Sequence, residues 1–293
     1  MAGSEGATMS NRFEFGENWE SYLDQLTDEQ VAQAERELRD VFDRDSLDGQ
    51  SVVDIGCGSG LFSLAAHRLG ASEIVSFDYD EDSVTCCRRL RDETDADDWT
   101  VERGDILDSE FVAGLGEFDA VYCWGVVHHT GEMWRAIDHT TRLLADDGRL
   151  CLGIYNKVER GESLYNSFVA RRIKRAFNRM PRPVQKLLVF GYGGAHLTAR
   201  TLLKRESPLA YLDSYRQNRG MDYWHDVRDW LGGYPFEFAT PSEVQEYVAT
   251  HHPSLEHVRT DAPKNYPETV NTYVFQHQHV RTSDSRYADV FRD

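Results

Sequence analysis

The sequence predicts an α/β fold built on a doubly wound parallel sheet with an inserted helical subdomain. Three observations predict it. Short apolar, β-branched runs alternate with helical-period stretches between Val52 and Tyr155. A glycine-rich turn, Asp54-Ile55-Gly56-Cys57-Gly58-Ser59-Gly60, joins the first such run to the first helical one. Between the fifth and sixth strands lie about 100 residues, too many for a structureless connection and therefore expected to fold as an insertion.

Composition narrows the function classes. The chain has 293 residues and a net charge of −18, with 50 acidic against 32 basic side chains, most of the latter Arg. Such a surface suits a high-salt, halophilic cytoplasm, where screening relieves the repulsion between carboxylates. It argues against nucleic acid as a partner, which needs a basic face to neutralise phosphates. The five cysteines show no zinc-ligand spacing and read as reduced, small apolar residues, so no structural metal is expected. The first residues are polar and acidic, without an apolar core of the kind a secretion signal has, and no run reaches roughly 18 apolar residues. The expected location is cytoplasmic, with peripheral contact at the inner face of a membrane left open.

Residues 1–11 are small and polar and read as a disordered tail. Residues 12–47 combine an aromatic cluster, Arg12 to Trp19, with an amphipathic helix carrying Val31, Ala34, Leu38 and Val41. This segment is either a packing cover on the sheet or a helical lid that keeps water from a bound ligand. The first strand, Val52 to Ile55, ends in the glycine turn, and a helix follows through Leu61, Phe62, Leu64 and Ala65. Glycine permits positive φ and close approach of a ligand, and a helix start offers N–H groups to a carboxylate as readily as to phosphate. The dinucleotide fingerprint wants a third glycine three residues after the second. Leu61 stands there instead, which weakens a pyrophosphate reading.

The pattern Asp-x-Gly-x-Gly-x-Gly resembles motif I of the class I S-adenosylmethionine (SAM) methyltransferases. The resemblance implies a seven-stranded Rossmann-like methyltransferase sheet whose last strand is antiparallel. It also implies SAM as cofactor, with S-adenosylhomocysteine (SAH) as product, held in part by Asp54, Gly56, Cys57, Gly58 and Gly60. The second strand, Glu73 to Phe77, ends at Asp78, where a carboxylate accepts from the ribose hydroxyls. Tyr79 is placed to lie against adenine, while Asp80 and Asp82 suit the start of the next helix. After a third strand at Trp99 to Glu102, the resemblance assigns Asp105, with Ile106 beside it, to the adenine end; a turn aspartate is the alternative reading.

The fourth strand, Phe118 to Cys123, leads into Trp124-Gly125-Val126-Val127-His128-His129 at its carboxyl end, where ligands of open parallel sheets bind. A His-His pair here is similar to that of the ubiquinone-biosynthesis-type O-methyltransferases. Trp124 and His128 are expected at the SAM pocket, and His129 is a candidate general base near neutral pH; packing is the alternative for both histidines. A helix from Glu132 to Leu144 precedes a fifth strand at Arg149–Tyr155, with the remaining two strands near Leu255–Arg259 and Thr272–Gln276. The resulting division is 48–155 as the SAM-binding core, 156–240 as a helical substrate-binding insertion, 241–280 as the completion of the core and 281–293 as a tail.

Within the insertion, Asn166–Met180 reads as a helix with Arg171, Arg172, Lys174, Arg175 and Arg179, followed by an apolar helix from Val184 to Leu203. In so acidic a chain, residues 166–203 are either a solvated basic face or a surface for an anionic lipid head group or phosphate-bearing substrate. Further on, Asp222, His225 and Asp229 share one helical face, with Asp226 beside Asp222. A carboxylate next to an imidazole makes a general base, so His225, Asp226 and Asp229 join His129 as catalytic candidates. A divalent metal site and a structural polar network are the other readings of that cluster.

From about Phe13 to Phe275 the chain resembles the bacterial and archaeal methyltransferases grouped with the ubiquinone type (methyltransferase types 11 and 12) and their relatives in glycan modification; its acidity suggests a haloarchaeal member. The expected reaction is O-methylation of a hydroxyl or carboxylate on a small or lipid-linked acceptor, a glycan or an isoprenoid-quinone-type intermediate. The Asn-Pro-Pro-Tyr signature of amino-group nucleic-acid methylases is absent. A tRNA or rRNA methyltransferase, a non-catalytic SAM-binding protein and an NAD-dependent oxidoreductase are the competing readings.

Overall fold

The computed structural model describes residues 26–94, 96–159, 161, 166–219, 223–262 and 270–278. The 1–11 and 281–293 tails, the Arg12–Trp19 cluster and Asp222 lie outside them. Helix α1 (Asp28–Phe42) opens with a capping box in which Gln30 N–H donates to Thr27 Oγ1 at 3.3 Å and Thr27 N–H to Gln30 Oε1 at 2.8 Å. It buries Val31, Ala34, Leu38 and Phe42 in the core on one face of the sheet, and no α1 residue lines the cavity described below. Helix α1 thus packs on the sheet through these residues.

Strands β1 (Ser51–Ile55), β2 (Glu73–Asp78), β3 (Trp99–Arg103), β4 (Phe118–Trp124) and β5 (Leu144–Tyr155) alternate with helices α2 (Leu61–Arg68), α3 (Glu81–Glu93), α4 (Ser109–Leu115) and α5 (Met133–Thr141). With β6 (Leu255–Asp261) and β7 (Val270–His277) they form one seven-stranded sheet in the order β3-β2-β1-β4-β5-β7-β6, β7 running antiparallel to its neighbours. This is the doubly wound Rossmann-like methyltransferase architecture expected from the sequence. The order reverses between β1 and β4, which opens a crevice at their carboxyl ends. Strands buried on both faces read as continuous apolar runs, as in Val52, Val53 and Ile55. One boundary differs: α5 stops at Thr141 and β5 begins at Leu144, with a register shift between Phe118 and Ala120. Leu144 fits an apolar helix face and a buried strand equally well, and its pairing with Phe118 decides for the strand.

The insertion leaves the sheet at Asn156 and returns at Ala239, where the two residues form a β-bridge and Lys157 N–H donates to the Ala239 carbonyl at 3.1 Å. Between them lie α6 (Ser167–Asn178), α7 (Arg182–Lys204), α8 (Pro208–Arg219) and α9 (Tyr223–Gly232); α10 (Pro241–His251) belongs to the sheet side. Asn166 caps α6 by accepting from Val169 N–H at 3.2 Å. These helices have a small core of their own, with Phe177, Val189, Leu197, Tyr211, Tyr223 and Val227.

Candidate functional site

The carboxyl ends of β1, β2 and β4 open into a cavity of about 1220 Å³ that continues into the insertion. Single ligand pockets usually run about 300–1,000 Å³, so there is room for two molecules side by side.

At the sheet end, Asp54 is buried and accepts from Ser63 Oγ at 2.5 Å. The chain of contacts runs on from Ser63 Oγ to Ser76 Oγ at 2.7 Å and to the Trp99 indole N–H, also 2.7 Å away. Burial raises the Asp54 pKa to about 7. Asp78 takes the Gly58 N–H at 3.0 Å on one oxygen and the Asp80 N–H at 2.9 Å on the other. It faces the cavity, and burial raises its pKa to about 6. Asp80 caps α3 by accepting from Asp82 N–H, in keeping with a helix-start role.

The glycine turn has a different physical basis from the expected one. Gly56 and Cys57 N–H both donate to the Phe77 carbonyl, at 2.8 and 3.1 Å, and Gly58 N–H goes to Asp78. These amides therefore tie the turn to β2. A Cβ on Gly56 would stand 2.3 Å from a Val126 methyl, and one on Gly60 2.8 Å from Cys87 Sγ, both at positive φ. Glycine is required there by the protein's own packing. Gly60 serves as the N-cap of α2, and Gly56, Cys57 and Gly58 line the cavity.

Tyr79, Asp105, Ile106 and Trp124 all reach the same cavity. Asp105 accepts from Leu107 N–H at 2.9 Å, so it closes its own turn as well as facing the cavity. Trp124 is 40% exposed, and its indole N–H donates to Thr272 Oγ1 at 3.0 Å.

The two histidines divide. Tyr155 N–H donates to His128 Nδ1 at 3.2 Å, which puts the proton on Nε2. Burial holds its pKa well below the usual value, and the ring lies tilted against Tyr155 with centroids 4.2 Å apart. His129 Nδ1–H donates to the Pro235 carbonyl at 2.7 Å. Burial lowers its pKa to about 4, away from the near-neutral value on which its expectation as a general base rested. Both line the cavity as neutral rings.

The insertion supplies the other arm. Asp226 and Asp229, three apart on α9, both face the cavity, and Asp226 accepts from the Tyr215 hydroxyl. His225 stands one residue before Asp226 and four before Asp229 on the same helix; its side chain lies outside the described residues. Among the described residues no three His, Cys, Asp or Glu side chains gather as a metal site would require. Tyr192, His196 and Arg200 of α7 and Tyr211 and Tyr215 of α8 line this arm and were missed from sequence. Their spacing of four on one helical face was the available signal.

Lys174 corrects a second expectation. It is 5% exposed, and its ammonium donates to the Trp230 carbonyl at the end of α9, with Asp229 O at 3.5 Å. Burial lowers its pKa to about 8. It closes a helix C-terminus and leaves the basic surface to its arginine neighbours.

A family model described as a methyltransferase domain matches residues 53–150. The chain is 35% identical over 103 residues to the ribosomal protein L11 methyltransferase of Macrococcus caseolyticus, covering 35% of this chain and 31% of that one. It is 33% identical over 112 residues to the ubiquinone biosynthesis O-methyltransferase of Xanthomonas oryzae pv. oryzae, covering 38% of this chain and 45% of that one. The chain thus spans less than half the length of either curated relative. Its fold is similar to that of PKMT2 from Rickettsia typhi, solved in complex with AdoHcy, with a TM-score of 0.52 and 15% identity over 84% of this chain and 52% of that one.

Proposed function

We propose, from the premise that residues 53–150 are a methyltransferase domain, that the chain is a SAM-dependent methyltransferase acting on an oxygen of a small or lipid-linked acceptor. A glycan or isoprenoid-quinone-type intermediate is the acceptor class, and peripheral membrane contact through 166–203 accompanies it. The observation that carries this reading is the single cavity joining the Asp54/Asp78 end of the sheet to the tyrosine-rich arm of the insertion.

The sheet end fits SAM on electrostatic grounds. Asp54, Asp78, Asp80 and Asp105 all face it, an environment that favours a sulfonium and an ammonium and opposes a pyrophosphate. Asp78 would hold the ribose, Tyr79 and Ile106 would flank adenine, and Asp105 would meet its amino group. The methionine carboxylate would lie against Ser59 and the first turn of α2, where the helix dipole favours an anion. Bound there, SAM supplies a methyl group activated by the adjacent sulfonium.

The chain's own residues then position and desolvate. Trp124, Tyr155 and the neutral rings of His128 and His129 exclude water from the reacting oxygen, and alignment supplies most of the rate. When the acceptor is a hydroxyl, its proton goes to a carboxylate of α9, Asp226 or Asp229, with His225 as the third candidate on that helix. A carboxylate acceptor needs no base. In either case the acceptor oxygen bonds to the methyl carbon as the carbon–sulfur bond breaks, leaving SAH.

Incubation with methyl-labelled SAM and cell extract, followed by separation of polar metabolites, lipids, RNA and protein, tests this. Label in the polar or lipid fraction is expected. Label in RNA, or in protein as the name of the ribosomal-protein relative suggests for that enzyme, would overturn the acceptor class. SAM binding with no labelled product would make the chain a SAM-binding protein without catalysis.

A further inference from the structure

We infer that His196 and Arg200 of α7 form a subsite for a neutral polyol, in which His196 Nε2 accepts from one hydroxyl and Arg200 Nη1 donates to its neighbour. The subsite stands on its own geometry. Calling the bound molecule the methyl acceptor rests on the methyl-transfer reading above, which leaves the reacting oxygen's proton to α9.

Proton accounting around Tyr223 is the first observation. Tyr223 is buried, and its hydroxyl donates to the Gly193 carbonyl at 3.0 Å. So close an approach of α9 to α7 needs glycine there, since a Cβ on Gly193 would stand 2.5 Å from the Trp224 ring. A phenol has a single proton to give. His196 Nδ1, 2.8 Å from the same oxygen, is therefore the donor in that contact. The tautomer follows: Nδ1 carries the hydrogen and Nε2 a lone pair. Burial, and then the charges of Arg200 and Lys204, lower the His196 pKa, so the ring is neutral at about pH 7. Among the described residues no partner meets Nε2, and the atom is not sealed from solvent.

Arg200 is the second. It stands one turn further along α7, its guanidinium carbon 4.0 Å from the centre of the Tyr211 ring. Nη2 donates to Glu206 at 3.0 Å and Nε is buried, while Nη1 has no partner among the described residues. The ring and the carboxylate hold the fork in place before any ligand arrives. His196, Arg200 and Tyr211 all line the cavity. A fixed acceptor and a fixed donor thus share one helical face, with Cβ atoms about 6 Å apart.

Hydrogen-bond chemistry selects the occupant. An oxygen that fills Nε2 must bring a proton, so quinone carbonyls and methyl ethers leave His196 unsatisfied. A phosphate or carboxylate would meet an arginine already paired with Glu206, in a cavity that also holds Asp226 and Asp229. Hydroxyls donate to the imidazole and accept from the guanidinium. Adjacent hydroxyls on a saturated ring, as in a carbohydrate, offer both at once.

Saturation-transfer NMR and calorimetry on the full chain, with and without SAH, test the inference. The probes are the methyl glycosides of glucose, galactose, mannose and rhamnose, with tetrahydropyran, catechol and inorganic phosphate for comparison. At least one glycoside should bind, and more tightly than any of the three comparison compounds. His196→Leu should weaken that glycoside about tenfold or more, whereas His196→Gln, whose amide oxygen also accepts, should stay within about threefold of the parent. Arg200→Lys keeps a charge for Glu206 but loses the fork, and should weaken binding as His196→Leu does. Imidazole nitrogen NMR of the parent at about pH 7.5 should show His196 protonated on Nδ1 alone, with Tyr223→Phe mixing the tautomers. Circular dichroism checks that each variant folds.

Absence of glycoside binding would overturn the inference, as would His196→Leu without effect or His196→Gln no better than His196→Leu. So would a proton on Nε2 in the parent, or tighter binding of phosphate or catechol. Glycoside binding to a chain that does not bind SAH would leave the subsite standing and remove the methyl-transfer reading. Methyl transfer from SAM by a chain that binds no glycoside would do the reverse.

Discussion

Asp78 accepts two backbone amides and still turns toward the cavity, so its charge couples the glycine turn to any ligand bound there. Asp78→Asn should weaken SAM by roughly ten- to a hundredfold, the worth of hydrogen bonds to a charged acceptor, as read by calorimetry on a folded protein. With native pKa values of about 6 for Asp78 and about 7 for Asp54, SAM affinity should rise between about pH 5 and pH 7.5 and then level off. The variant should flatten that rise. Stability of the ligand-free protein has the opposite sign. Both native values exceed the ordinary 3.8, so the native state holds extra protons across that window, and these two groups' contribution falls as pH rises through it. Gly60→Ala tests packing apart from binding. The Cys87 contact and a φ of +84° should cost about 1–3 kcal/mol in denaturant unfolding.

Helix α9 carries the two cavity carboxylates of the insertion, Asp226 and Asp229, and its end is held by α6. Lys174 donates to the Trp230 carbonyl, and Asn178 Nδ2 donates to the Gly232 carbonyl at 2.5 Å. Lys174→Met leaves the last-turn carbonyls without their cation, at a cost of about 1–3 kcal/mol in thermal or denaturant unfolding. Amide exchange should quicken in α9 and leave β1 to β5 protected. Signals for these elements are local: Asn166 opens α6 at the position read from sequence, and Thr240-Pro241-Ser242-Glu243 carries a capping box for α10 that the sequence reading passed over. The start of β5 was illegible because Leu144 satisfies both periods, and only pairing with Phe118 chooses.

Across the whole molecule, the sheet and the insertion are joined by one cavity, so a ligand at the sheet end should stabilise the fold by mass action. SAH at about a hundred times its Kd should add about 2.7 kcal/mol, which in a chain of this size moves Tm by several degrees. NADH at the same concentration should leave Tm unchanged; a larger shift with NADH would restore the dinucleotide reading.

The sequence by itself determined the doubly wound sheet, the glycine turn and Asp78 at the tip of β2, since periodicity, turn chemistry and capping act within a few residues. Tertiary structure alone decided that Gly56 and Gly60 answer to Val126 and Cys87, that Lys174 is buried, that His129 is a neutral ring and that α7 faces the cavity on one side. Those outcomes depend on burial and on partners far apart in the chain, such as Lys174 with Trp230 and His129 with Pro235. Neither distance nor desolvation is written in local order.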